Sequence, residues 1–291
     1  MTITSLTPPL LQFKKLIVNK TPITICDIGA SPVDPTPFID ELLDNTNSVL
    51  YGFEPNEDEF KKLIQTDRKK YFNVAVGNGN TETLNICQAP GMSSLLKPDL
   101  DYLDLFHGFK EWANIIKTIS VQTKKLDEIN FENKIDFFKI DVQGYESEII
   151  NYGKIKIKES LIVQIETSPV PLYKDEKSFS NICSQLESLG FNIHMFNKIN
   201  TRCFKPTTLQ NNIYSGLHHL FQLDCVFIKS FNLINNLNSD ELKKMALILF
   251  YSFKSYDLVD FLIQKISQMD SIDYISEYRK LISSIKINKI Y

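Results

Sequence analysis

The sequence predicts an α/β protein built on a parallel, doubly wound sheet and followed by a helical appendage. Short apolar runs of strand length alternate with amphipathic segments, which implies a parallel sheet covered on both faces. Acids stand at the ends of several of those runs. After Lys229 the texture changes to apolar residues at helical spacing with no Gly or Pro.

Strands are expected at Ile23 to Ile28, Ser48 to Phe53, Tyr71 to Val76, Ile135 to Ile140, Leu161 to Ile165, Phe191 to Phe196 and Phe221 to Ile228. Most of these runs are too short for helices. Helical patterns lie between them at Pro37 to Leu43, Glu57 to Ile64, Tyr145 to Asn151 and Phe179 to Leu189, the last stopped by Gly190. A long irregular insert is expected from Thr81 to Lys125, with Pro90-Gly91 and Lys97-Pro98 as breakers, and inserts of that length are usually functional. Its serines, acids and aromatics suit a substrate lid, or a surface loop packed by Phe106 and Trp112. The domain division that follows is 1–230 for the sheet and 231–291 for the helices, which start at Ser239 to Leu242. The apolar face of those helices is expected to dock on the main domain or to form a homodimer, or else to hold another protein.

Composition narrows the partners. With 43% hydrophobic and 23% charged residues over 291 positions, the chain buries a full core. A formal charge of -3 and the lack of a basic, aromatic-interleaved stripe argue against nucleic acid. Five cysteines, odd in number and without a Cys-x-x-Cys pair, argue against a disulfide frame and a zinc site. No stretch reaches the ~18 apolar residues of a membrane span, and "MTITSLTPPLLQFKKLIVNK" lacks the marks of a cleaved leader. A cytoplasmic protein is expected.

Ligands of doubly wound sheets sit at the carboxyl ends of the strands, where the strand order reverses. "TICDIGASPVD" puts Asp27 and Gly29 at that edge, and "YGFEPN" adds Glu54, a carboxylate able to accept both hydroxyls of a ribose. The alternative is that Asp27 caps a helix and Glu54 is solvated. A pyrophosphate needs the Gly-x-Gly-x-x-Gly backbone, whereas "DIGASPVDP" offers one glycine, two prolines and another acid, Asp34. A cationic nucleoside without phosphates suits the edge better, and S-adenosyl-L-methionine has that chemistry.

"CDIGAS" (26–31), "GFEPN" (52–56), "NVAVGN" (73–78), "LDEI" (126–129) and "IDFFKIDVQGYESEIINYG" (135–153) resemble the FkbM family of S-adenosylmethionine-dependent methyltransferases over roughly Thr21 to Lys229. The resemblance implies a Rossmann-like class I methyltransferase fold, mostly parallel with an antiparallel last strand. It implies O-methylation of a hydroxyl on a sugar, a glycan or a glycosylated product. Asp27, Gly29, Ala30 and Ser31, with Glu54, Pro55 and Val76, would hold the cofactor. The family's first loop usually reads Asp-x-Gly-Ala-Asn-x-Gly; here Ser31 and Val33 replace the Asn and the last Gly, which gives a stiffer turn.

Sulfonium is a good leaving group, so the protein must align a nucleophile and take its proton. Asp141 and Glu166 end neighbouring strands in "FFKIDVQG" and "IVQIETSP", and an antiparallel last strand would bring "LHHLF", with His218 and His219, towards them. Asp141, Glu166 and His218 are therefore the catalytic candidates, either sharing a proton or holding a divalent cation. The competing readings are a helix cap for Asp141, a loop salt bridge for Glu166 and an exposed or structural histidine pair. Lys139, on the same face as Asp141, is expected to pair with it. His107, His194 and Trp112 are read as insert or core residues. A nicotinamide-dependent dehydrogenase and a catalytically inactive binding or assembly protein remain the rival functions.

Overall fold

The computed structural model describes residues 13–33 and 35–285; Asp34, noted above, lies outside them. Among the described residues there are ten strands: β1 Ile23–Ile28, β2 Ser48–Phe53, β3 Lys69–Phe72, β4 Ala75–Val76, β5 Thr81–Cys87, β6 Ile115–Lys124, β7 Phe137–Ile140, β8 Ile162–Thr167, β9 Phe191–Arg202 and β10 His219–Lys229. Seven of them form one sheet in the order β3-β2-β1-β7-β8-β10-β9. The β2–β3, β1–β7 and β7–β8 pairs are parallel, whereas β10 runs antiparallel to both β8 and β9. This is the Rossmann-like class I methyltransferase arrangement, with its reversed last strand. Strand order reverses between β1 and β7, so the carboxyl ends of these two strands flank the crevice where such sheets take ligands.

The central strands are apolar along their length because both faces are covered. Every residue of β1 and β7 is buried, including Asp27 and Lys139, the two charged members. They stand opposite one another in register.

The insert differs from the irregular segment expected. β5 and β6 pair antiparallel from Thr81↔Gln122 to Cys87↔Ile115, and β4 joins β6 in a separate three-stranded sheet. β5 exposes Thr81 and Thr83 and β6 exposes half or more of its residues, so neither shows the continuous apolar run that marks the central sheet. The stretch between them folds over a small core of Leu103, Phe106, Phe109 and Ala113 with Leu172, Tyr173 and Phe221. The helix expected at Glu57 to Ile64 stops at Phe60, after a start capped by Asn56, whose side chain accepts from the Asp58 N–H.

The chain divides into two compact units. The larger holds Thr24–Pro35 and Leu50–Ser230, and with them the sheet crevice. The smaller gathers the described residues up to Ile23, the segment Thr36–Val49 and the described residues from Phe231 onward. Within it, helices Ser239–Phe253, Tyr256–Asp270 and Ile275–Ser283 follow a capping box in which Asn238 and Glu241 satisfy each other's backbone N–H groups. Helix Pro37–Asn45 packs on the first of these: Ser252 Oγ donates to the Phe38 carbonyl at 3.0 Å, Lys254 pairs with Glu41, and the Phe38 and Phe253 rings lie 6.0 Å apart. Phe13 stacks on Phe250 at 3.9 Å and sits 5.5 Å from Tyr278.

Candidate active site

The loop after β1 folds on itself. The Gly29 and Ala30 N–H groups both donate to the Phe53 carbonyl, at 2.9 and 3.0 Å, and the Ser31 N–H donates to the Gly29 carbonyl at 2.8 Å. Gly29 has φ +86°, and a Cβ there would lie 1.8 Å from the Asp141 carbonyl oxygen, so both conformation and space require glycine. β1 and β7 thus meet backbone to backbone at the mouth of the crevice.

A cavity of about 330 Å³ opens above that contact. Gly29, Ser31, Glu54, Pro55 and Val76 line one part of it, while Asp141, Gln143 and Glu166 line another. Asp27 and Ala30, also expected to touch a cofactor, do not line it. Asp27 is buried, with its carboxylate 3.4 Å from the Lys139 ammonium, and Ala30 is buried in the loop. The insert contributes Met92, Ser93, Ser94 and Phe109 to the walls.

Glu54 lies at the carboxyl end of β2, where its Oε1 accepts the Asn56 N–H at 2.7 Å. Burial pushes its carboxyl up to about 7, aided by the nearby Glu59, Asp27 and Asp141 charges and opposed by that hydrogen bond. Asn73 fixes the turn by donating to the Glu54 and Pro55 carbonyls at 2.9 and 3.0 Å.

The acid pair is organised by a turn that the sequence does not announce. Gln143 and Gly144 both have positive φ, 56° and 98°. This reversal lets the Val142 and Gly144 N–H groups donate to Glu146 Oε1 at 2.9 and 3.1 Å, and Glu146 itself is raised to about 8, chiefly by burial. Glu146 therefore closes the turn, and Asp141 is not the helix cap. The Gln143 amide is sent inward, where Nε2 donates to Asp141 Oδ1 at 2.8 Å and to Glu166 Oε2 at 3.0 Å. Its Oε1 lies 3.0 Å from the Tyr173 hydroxyl, and its carbonyl accepts from Ser94 Oγ at 2.7 Å. On the other side of Asp141, Lys139 Nζ stands 3.3 Å from Oδ2.

These surroundings drive the two acids apart. Burial disfavours charge on Asp141, yet Lys139 and hydrogen bonds from Glu166, Gln143 and Lys139 hold its carboxyl below the usual range. Glu166 is pushed well above that range by burial and then by the Asp141 charge. Within the pair these surroundings favour charge on Asp141 and the proton on Glu166.

His218 does not join them: it is exposed and lies off the cavity wall. Its neighbour His219 opens β10 but bonds to the Tyr102 hydroxyl at 2.8 Å and stacks on Phe106 at 5.5 Å. The structure therefore does not bring together Asp141, Glu166 and His218, the set expected as the alternative to hold a divalent cation. Among the described residues no three His, Cys, Asp or Glu side chains are grouped to hold a metal ion, and the Lys139 ammonium and the Gln143 amide already serve the carboxylates.

The model of the methyltransferase FkbM domain matches residues 27–193, more than half of the chain. The chain belongs to the FkbM methyltransferase family. The matched span of this FkbM methyltransferase contains Gly29, Glu54, Asp141, Gln143 and Glu166 and stops before β10. No curated protein matches it in sequence. Among solved structures it is similar to magnesium protoporphyrin IX methyltransferase from Synechocystis PCC 6803, with bound SAM, at 11% identity and a TM-score of 0.38, covering 76% of this chain and 74% of that one. It is also similar to human methyltransferase-like protein 13, in complex with SAH, at 12% identity and a TM-score of 0.37, covering 85% and 88%.

Proposed function

We propose that this FkbM methyltransferase uses S-adenosyl-L-methionine to methylate a hydroxyl oxygen of a sugar, a glycan or a glycosylated product. The observation that carries the reading is a single cavity joining the Gly29–Glu54 edge to the Asp141–Glu166 pair. The residues fit the cofactor: Glu54 offers a buried carboxylate to ribose hydroxyls, and at Gly29 the turn leaves no space for a side chain. When bound, the cofactor supplies an electrophilic methyl group on a sulfonium.

The chain's own part is to hold the acceptor and to take its proton. Asp141, kept ionised by Lys139 and Gln143, accepts the hydroxyl proton, while Glu166, protonated, steadies the pair as a hydrogen-bond donor. Gln143 positions both carboxyls.

The nicotinamide reading is disfavoured by the loop after β1. Its Gly29, Ala30 and Ser31 N–H groups are spent on internal carbonyls, so they form no cradle for a pyrophosphate. Calorimetry with S-adenosylhomocysteine against NAD separates these two readings. A one-methyl mass gain on an acceptor glycan separates the enzyme from an inactive binding protein. NAD binding without S-adenosylhomocysteine binding would overturn the proposal.

A further inference from the structure

The cavity continues past Glu166 to β9 and β10, where Lys198, Asn200, Arg202, Phe221 and Gln222 line it with Phe109 of the insert. Lys198, Asn200 and Arg202 share one face of β9, two residues apart. Lys198 stands opposite Asp224 in the β9–β10 register, which places an acid beside it. Arg202 has no such neighbour: its register partner is His219, and no carboxylate pairs with it among the described residues.

Arg202 is half-buried, and its guanidinium carbon lies 5.4 Å from the Phe109 ring centroid and 5.6 Å from that of Phe221. Two aromatic faces thus hold the cation in place. Nη1 donates to the Thr201 carbonyl at 2.8 Å, whereas Nε is buried without any hydrogen-bond partner. A guanidinium presents a planar fork suited to two oxygens, and leaving one of its buried N–H groups unmet is costly. A ligand group that reaches the fork removes that cost.

We infer that Arg202 receives an oxyanion of the acceptor, a carboxylate or a phosphate, so that the substrate is an acidic sugar or a sugar phosphate rather than a neutral one. The inference rests on the methyl-transfer reading for the identity of the reaction, but not for the anion site itself. It gives the cavity two unlike ends. Glu54 and Glu59 stand at the end offered to a cationic cofactor, and Arg202 stands at the end offered to an anionic acceptor. An acidic sugar held there brings its ring past Asp141 and Glu166, and bidentate capture restricts which hydroxyl faces Asp141.

The test is binding of glucuronate, glucose 1-phosphate and glucose to the full chain, with and without S-adenosylhomocysteine, in the wild type, Arg202→Met and Arg202→Lys. Methionine keeps apolar contact with Phe109 and Phe221 while removing charge and fork. At least one anionic sugar is expected to bind wild type ten-fold or more tighter than glucose. That advantage should vanish in Arg202→Met and shrink in Arg202→Lys, while S-adenosylhomocysteine affinity, which also reports folding, stays level in all three proteins. A preference for glucuronate assigns a carboxylate, and one for glucose 1-phosphate a phosphate. Equal binding of all three sugars to wild type overturns the inference, as does an anion preference that survives in Arg202→Met. Failure of S-adenosylhomocysteine to bind wild type overturns the methyl-transfer reading instead and leaves the anion comparison readable in the free protein.

Discussion

Gly29 and Asp141 touch through their backbones: there is no room for even a methyl group between the Gly29 α-carbon and the Asp141 carbonyl. The loop after β1 and the end of β7 are one joint, so a change at Gly29 is felt at both halves of the cavity. Gly29→Ala is expected to cost at least ~2 kcal/mol of stability, since it adds a steric clash to a left-handed conformation. Urea denaturation reads the loss, and calorimetry should show weakened S-adenosylhomocysteine binding. A fully stable, tightly binding variant would mean that the joint opens without penalty.

Glu54→Gln tests the ribose assignment. Loss of the carboxylate should weaken cofactor binding by roughly 1.5–3 kcal/mol, the scale for hydrogen bonds to a charged group. Because Glu54 is raised to about 7, its protonated form prevails below that pH and offers one acceptor fewer. Wild-type affinity should therefore strengthen as pH rises from 6 to 8, and the Gln variant should be flat over that range. A pH response that persists in Glu54→Gln assigns the titration elsewhere.

Asp141→Asn should separate binding from turnover. S-adenosylmethionine still binds, while the rate falls by ~10²-fold or more if Asp141 takes the proton. Glu166→Gln, which keeps the shape and a hydrogen-bonding end, should cost far less. Equal losses in the two variants would identify the pair itself, rather than Asp141, as the acceptor of the proton.

Four carboxyls lie above their usual value of 4.5: Glu54 and Glu176 at about 7, Glu146 at about 8 and Glu166 well above it, in each case mainly through burial. Between pH 4.5 and 8 the folded chain holds protons that the unfolded chain has released, so stability falls as pH rises. Each group contributes at most ~1.4 kcal/mol per pH unit within its own window. Asp141, which is lowered, titrates beneath that range. Denaturation midpoints should be higher at pH 5 than at pH 8, and S-adenosylhomocysteine should narrow the gap if it holds Glu54 ionised.

Removal of residues 231–291 should destabilise the chain rather than trim an independent module. It strips helix Pro37–Asn45 of its contacts with Ser252, Phe253 and Lys254, and Phe13 of Phe250 and Tyr278. A truncated protein that melts as late as the full chain would show these contacts to be dispensable. Measuring mass in solution on the full chain tests the proposed homodimer through the C-terminal helices.

The central sheet was legible because burial on both faces leaves unbroken apolar runs, and Glu54, Asp141 and Glu166 were legible because they interrupt or end those runs. β5 and β6 were not, since half-exposed strands mix Thr, Lys and Ile without a clear period. β9 runs six residues beyond the apolar stretch that marks its start, which hid Arg202. Gln143 escaped for a different reason. Its role depends on a left-handed backbone at a residue type that seldom adopts one, and only the glycine after it hinted at the turn. The histidine pair misled because the strand begins between its members: His218 lies exposed in the preceding loop, while His219 opens β10 and is held by Tyr102.

The smaller unit has consequences for biosynthesis. Its N-terminal pieces, up to Ile23 and Thr36–Val49, emerge from the ribosome long before Phe231 and the residues that follow. At roughly 5–20 residues per second, those early segments spend many seconds exposed before their helical partners are translated. Phe13, Ile39 and Leu42, all buried in the finished protein, are apolar throughout that interval. Translation speed and the supply of holdase chaperones should therefore govern the yield of this protein more strongly than the intrinsic folding rate of its sheet.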